Sequence, residues 1–213
     1  MTDKKQAVTI STPVGRLVFH SLWEKDVFTD ERGREAEPSY KATLAFDWDD
    51  LKEFEDEVVK VAIDFFGEEA ADDYDNGEIH SPIRDGDEMA EDRRKREKNG
   101  DAFEGLAVVG MKTIYNRNGE DAPGGIYVCG ADAKELDFAA RDVIYAGCYG
   151  VASVTLNPYQ GIGGGKPGVS LYLNGFQFVK EGDRLRGQDP SALFSPMMGA
   201  KSEGKGRKGR GSK

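Results

Sequence analysis

Two kinds of periodicity divide this chain. Strict alternation marks its early and late parts, and a helical repeat marks a stretch between them. Residues 14–20, VGRLVFH, predict a first strand. In residues 39–46, Tyr40, Ala42, Leu44 and Phe46 fall on one face while Lys41 and Thr43 fall on the other, the two-residue period of a half-buried strand. Residues 21–38 read as a long connection carrying Trp23 and Phe28. Asp47 then stands where a helix cap belongs, before Trp48, Leu51, Phe54, Val58, Val61, Ala62 and Phe65 recurring at three- and four-residue spacing. That spacing makes one apolar stripe. Strands resume at residues 106–116 and 126–130, followed by a connection over 131–143 and two long strands within 145–179 joined by QGIGGGKPG. About six strands and one long amphipathic helix predict a mainly β fold, a small β-barrel with an inserted helix. Helices do not regularly separate the strands, which argues against a doubly wound parallel sheet.

Charge sharpens this outline. The chain has 213 residues and a net charge of −10, but residues 47–104 hold 22 acidic and 8 basic side chains. The last twenty residues hold six basic and one acidic. The overall acidity therefore describes one region and says little about the faces built from the rest. We expect a flexible N-terminus over 1–13, a single domain over 14–196 containing the acidic helix and charged insertion 47–104, and a disordered basic Gly/Lys/Arg tail over 197–213. Within the insertion, residues 67–104 read as a mobile loop with a short helix and the turn RDGDE at Arg84–Glu88.

Several function classes drop away. No run approaches the 18 apolar residues of a membrane span, and no apolar signal region opens the chain, so the expectation is a protein that stays where it is made. Cys129 and Cys148 read most simply as buried thiols, with a disulfide between them as the alternative. With His20 and His80 they form no ligand-spaced cluster, so neither a structural metal nor a cofactor is expected. The Gly-rich run at Gly161–Lys166 is a weak match to a phosphate-cradling loop. Gln160 stands where the first glycine belongs, and Pro167 replaces the hydroxyl that would meet magnesium. The residues after it alternate as a strand rather than opening a helix. The run therefore reads as a hairpin tip, with Lys166 free to meet the phosphate of a longer ligand.

The flanking strands say more. Val154 and Leu156 share one face, and Ser153, Thr155 and Asn157 the other; Tyr149 and Tyr159 have the parity of the polar set. Tyr172 alternates with Leu171 and Leu173 in the same way. A polar face with tyrosines suits base stacking, which tolerates any sequence because every base has a π-face. The plainer alternative is that these rings cap the core or pair across strands.

At this point SPIRDGDE, YAGCYGVASVTLNPY and GKPGVSLYLNGFQFVKEGDRLRG, together with the early strand EPSYKATLAF, resemble the bacteriophage single-stranded DNA-binding proteins first catalogued as a domain of unknown function. The resemblance rests on Tyr145–Tyr149, Asn157–Tyr159, Lys166–Gly168, Leu173–Val179 and Gly182–Leu185, and spans roughly residues 14–196. It implies an OB-fold, the oligonucleotide/oligosaccharide-binding barrel, coating exposed single-stranded DNA during phage replication, recombination or repair in the host bacterial cytoplasm. On that reading Trp23, Phe28, Tyr149, Tyr159 and Tyr172 are candidate stackers. Arg16, Lys25, Lys41, Lys112 and Lys166 are candidate phosphate contacts, joined by Lys205, Arg207, Lys208 and Arg210 of the tail. Duplex DNA and phage or host replication and recombination proteins are further candidate partners.

The basic tail departs from the acidic tails with which many single-strand binders recruit partners. The acidic insertion is a candidate substitute for that role. Two rival readings remain. Asp85, Asp87 and Glu88 of RDGDE are close enough in sequence to suggest a magnesium-dependent nuclease, although Asp-Gly is also an ordinary turn signal. The acidic helix face also suits a phage protein-interaction or virion component. The reading adopted is a non-catalytic binder, with no catalytic residue assigned.

Overall fold

The computed structural model describes residues 7–27, 29, 33–95, 100–115, 125–161 and 163–185. Within them the chain is mainly β, and its strand pairings close into a ring. Strands β2 (Gly15–Asp26), β3 (Ser39–Phe46), β5 (Ala107–Thr113), β7 (Tyr149–Tyr159) and β8 (Gly168–Lys180) form it. β2 pairs with β3, β3 with β5, β7 with β8 and β7 with β2, all antiparallel; β5 meets β8 in parallel at Lys112 and Tyr172. Three short strands attach outside the ring. β1 (Val8–Ser11) lies on β7, β4 (Ile83–Asp85) on β5, and β6 (Tyr127–Cys129) on β8. Residues 8–11, assigned to the N-terminal segment by the sequence reading, are thus a strand. The first ring strand extends to Asp26 and takes in Trp23, which the sequence pattern had put in a connection.

Alternation decides what the ring encloses. Leu17, Leu44, Val109, Val154, Leu171, Leu173 and Phe176 are buried in one core. Each such side chain contributes roughly 1.5–3 kcal/mol by leaving water. The long helix of 19 residues begins as a 3₁₀ turn, Trp48–Leu51, and continues as α1 (Lys52–Phe66). Asp47 occupies the N-cap position, but its carbonyl rather than its side chain accepts, from the Asp50 N–H. Leu51, Phe54, Val58, Val61 and Ala62 bury against the ring interior. Trp48 and Phe65, at the two ends of the stripe, remain 45% and 44% exposed.

The insertion after α1 is more structured than its composition suggests. It holds α2 (Ala70–Asp75), β4 and α3 (Gly86–Lys95). Its larger apolar side chains find partners: Tyr74, Ile79 and Ile83 join the main core. Ala90 and Phe103 pack over Val18, Ala45 and Val108 on the outside of the ring. The RDGDE turn is the joint that makes this work. The Asp85 carboxylate accepts from the Asp87 N–H (2.8 Å), and the Asp87 carboxylate accepts from the Gly105 N–H (2.8 Å). Gly86 sits so close to the returning chain that a Cβ there would lie 2.0 Å from the Phe103 carbonyl. Cys129 and Cys148 are free and buried, and burial raises both thiol pKa values.

Candidate nucleic-acid interface

Because inward residues of the ring strands are apolar, the pleat sends their neighbours outward, and strand register lines these up from strand to strand. One lateral row runs Ser21, Lys41, Lys112, Tyr172, Thr155 across β2, β3, β5, β8 and β7. Two lysines and a tyrosine thus lie side by side on an outer wall. Beside them opens a groove of about 310 Å³, lined by Phe19, Thr43, Lys41, Arg84, Lys112 and Ser170, among others, and by no carboxylate. Arg84 reaches over Gly110, its Nη2 3.7 Å from where a Cβ would stand. Lys41 is the least free of the cations: its Nζ lies 2.8 Å from the Asp26 carboxylate.

The wall continues past Tyr172. That ring is 37% exposed and meets Tyr115, 62% exposed, edge to face at 6.2 Å. The two rings border a second hollow of about 320 Å³ with Thr155 and Asn174. Hydroxyl and amide side chains stiffen this side: Asn174 Nδ2 donates to Thr155 Oγ1 (2.9 Å) and Asn157 Nδ2 to Ser170 Oγ (3.2 Å). Helix α1 does not cover the wall, because its buried residues face the ring interior.

The remaining candidates lie elsewhere. Tyr159 ends β7, opposite Gly168. Lys166, at the neighbouring hairpin tip, donates to the Gly77 carbonyl (2.9 Å) and stands 3.6 Å from the Glu78 carboxylate, so the acidic insertion already engages it. Trp23 is half-buried against the core and edge-on to Phe138 at 6.5 Å. Lys25 is exposed, with its Nζ 5.7 Å from the centre of the Tyr40 ring. Phe28, Lys205, Arg207, Lys208 and Arg210 lie outside the described residues.

Arg16 and Tyr149 are register partners on a second patch. Lys180 Nζ lies 4.7 Å from the Tyr149 ring centre, and the Arg184 guanidinium 4.1 Å from that of Tyr145. Here two of the motifs singled out in sequence clasp each other. Tyr145 Oη donates to the Gly182 carbonyl (3.0 Å), Arg16 Nη2 donates to the Asp183 carbonyl (3.0 Å), and Leu185 N–H donates to the Ala146 carbonyl (2.9 Å). Gly147, at φ 117°, lets the strand end approach; a Cβ there would lie 2.0 Å from the Asp183 carbonyl. The Ala90–Phe103 cluster on Val18, Ala45 and Val108 occupies the wall between this patch and the Lys41–Lys112 groove.

Arg84, Phe19 and Tyr115 were not among the residues picked from sequence. Arg84 was hidden by its acidic neighbours in RDGDE. Tyr115 shares the parity of inward-facing Val109, Met111 and Thr113, so alternation would bury it. A bend at Ile114, with Thr113 Oγ1 accepting from the Tyr115 N–H (3.2 Å), turns it outward instead.

A model of the family described as Enterobacter phage Enc34, ssDNA-binding protein, matches residues 8–195. No curated protein matches the chain in sequence. Solved structures share its fold. The single-stranded DNA-binding protein of bacteriophage Enc34, truncated at its C-terminus, is 17% identical with a TM-score of 0.55, over 83% of this chain and 87% of that one. The same phage's protein in complex with ssDNA is 18% identical with a TM-score of 0.54, over 87% and 97%. The gp2.5 single-stranded DNA binding protein of bacteriophage T7 is 16% identical with a TM-score of 0.56, over 91% and 98%.

Proposed function

We propose that this chain, which belongs to the family of the Enterobacter phage Enc34 ssDNA-binding protein, coats single-stranded DNA without catalysing a reaction on it. The ring of strands is, on this reading, an oligonucleotide/oligosaccharide-binding barrel, and its outer wall over β2, β3, β5 and β8 is the contact surface. The observation that carries the proposal is the row Lys41, Lys112, Tyr172 beside a groove with Arg84 and no lining carboxylate. Phosphates would pair with the cations while bases stack on Tyr172 and Tyr115, with Phe19 in the groove. Stacked bases contribute about 1–3 kcal/mol each and cations add a salt-dependent term. Arg16, Tyr149, Lys180 and Arg184 would extend the track beyond the Phe103 cluster. Trp23, Lys25, Phe28, Tyr159 and Lys166 are secondary candidates. The tail residues Lys205, Arg207, Lys208 and Arg210 would add contacts that reach duplex DNA as well.

Action in the cytoplasm of an infected bacterium, alongside phage or host replication and recombination proteins, fits the family. No described helix is long and apolar enough to cross a membrane. Against the nuclease alternative, Asp85 and Asp87 each commit one carboxylate oxygen to the turn that launches α3, and no group of three or more His, Cys, Asp or Glu side chains able to hold a metal ion occurs among the described residues.

A salt titration of fluorescein-labelled oligo-dT tests the proposal, run on the intact chain and on one ending at Met198 with matched duplex as control. We expect tight binding at low salt. If all six tail cations engage phosphates, the log–log salt slope of the intact chain will be steeper by about 4, at roughly 0.7 per contact. Absence of oligo-dT binding by both chains at low salt would refute the proposal.

A further inference from the structure

We propose that the cleft between β1 and α1 is a docking groove for this chain's own C-terminal segment, residues 192–213. Two hollows open along one seam. The first, about 500 Å³, is lined by Val8, Val61, Phe65, Leu156 and Pro158, with Asp64 at its rim. The second, about 560 Å³, is lined by Ile10, Pro13 and Phe54 together with Asp50, Glu53, Asp56 and Glu57. The seam is therefore apolar at the C-terminal end of α1 and acidic toward its N-terminal end. Glu57 pairs with Lys60 at 3.5 Å, whereas Asp50, Glu53, Asp56 and Asp64 have no cationic partner among the described residues. The strand that forms one lip, β1, pairs with β7 on one edge, and no described strand pairs with its other edge. An unpaired edge offers main-chain hydrogen bonds to an added extended segment.

The C-terminal sequence has the complementary order. Leu193, Phe194, Met197 and Met198 come first; Lys201, Lys205, Arg207, Lys208, Arg210 and Lys213 follow. Phe65 and Glu53 are separated by about 18 Å along the helix, at roughly 1.5 Å per residue. An extended segment from Met198 to Lys205 covers about 23 Å at roughly 3.3 Å per residue. Apolar anchors seated at Phe65 therefore carry the cations to Glu53 and Asp50. The described chain stops at Leu185, packed against the outer wall near Phe103. Met198, the last of the apolar anchors, lies 13 residues further on, a reach of about 43 Å when extended, and that reach decides whether the groove of the same copy or of an adjoining one is filled. Solvent-exposed ion pairs are individually weak; several pairs beside buried apolar anchors are what makes this groove selective over an acidic surface alone. The inference does not depend on the DNA-binding reading, since it needs only the groove and the tail sequence.

Zero-length carbodiimide coupling of the intact protein, without DNA, tests it. The coupling joins lysine amines to carboxylates that touch them, and mass spectrometry maps the links. We expect Lys201, Lys205 and Lys208 to link to Asp50, Glu53, Asp56 and Glu57 at least about tenfold more often than to Asp72 and Asp73 of α2, a preference of roughly 1.4 kcal/mol. The exposed α2 pair is the control for unspecific attraction. The preference should vanish near 1 M salt, where the screening length is about 3 Å. In the intact chain carrying Glu53→Lys and Asp56→Lys, links to the remaining groove carboxylates should fall to the α2 level with the thermal melt unchanged, because both side chains are exposed. Links spread evenly over α1 and α2, or no tail links at all, would overturn the proposal.

Discussion

The outer wall of the ring and the acidic side of α1 are both solvent-facing surfaces of one small fold, and they carry opposite chemistry. The wall sets Lys41, Lys112 and Arg84 around a carboxylate-free groove and continues to Tyr172 and Tyr115. On the long helix, Asp50 of the 3₁₀ turn and Glu53, Asp56, Glu57 and Asp64 of α1 line the hollows facing β1. Both patterns follow from local rules: each element spends its apolar residues on the core, leaving its polar residues to define a face. Because acids are concentrated on the helix and insertion, a chain of net charge −10 keeps a cationic wall. Net charge governs solubility and long-range approach, while the local field at a groove governs what binds there.

The sharpest way to break this comparison is to invert each side. Arg84→Glu with Lys112→Glu should weaken oligo-dT binding on the order of 100-fold at low salt, because two contacts become repulsions. Glu53→Lys with Asp56→Lys should leave affinity within about threefold or tighten it. Equal losses on both sides, measured by fluorescence anisotropy, would remove the distinction. Next in size, Tyr172→Ala should cost about 1–3 kcal/mol of binding. Adding Tyr115→Ala should cost less than the sum of the two, because the rings touch. Unchanged affinity in Tyr172→Ala would take stacking off this part of the wall.

The smallest effect concerns the interior. His20 is mostly buried, its Nδ1 has no partner among the described residues, and burial lowers its pKa from 6.5. Its neutral form is favoured in the fold, so the unfolded chain binds the proton first as pH falls. Stability present above pH 6.5 is therefore lost progressively on acidification through and below it. His20→Gln should flatten that part of the melting-temperature profile; an identical slope in both proteins between pH 7.5 and 5.5 would assign the dependence to other groups.

Much of this architecture was legible in the alternation itself. Lys41 and Thr43 were placed opposite Ala42 and Leu44 by parity, and the register pairs Lys41 with Lys112 on the adjoining strand. What sequence could not supply was which outward rows remain open. Val18 and Val108 point out of the ring yet are buried, because Phe103 returns across them. That contact depends on the tight Gly86 joint and has no local periodicity. Tyr115 was invisible for the opposite reason, a single bend overriding a correct alternation. Lys166 looked free because its partners, Gly77 and Glu78, lie far away in the chain and meet it only through the fold.

The most direct test of the wall is ultraviolet cross-linking of oligo-dT to the intact protein, with the linked residues identified by mass spectrometry. The account predicts links at Tyr172, Tyr115 and Phe19, lost as salt rises. Links concentrated on α1 or on the β1 edge, with those three residues unmodified, would contradict it.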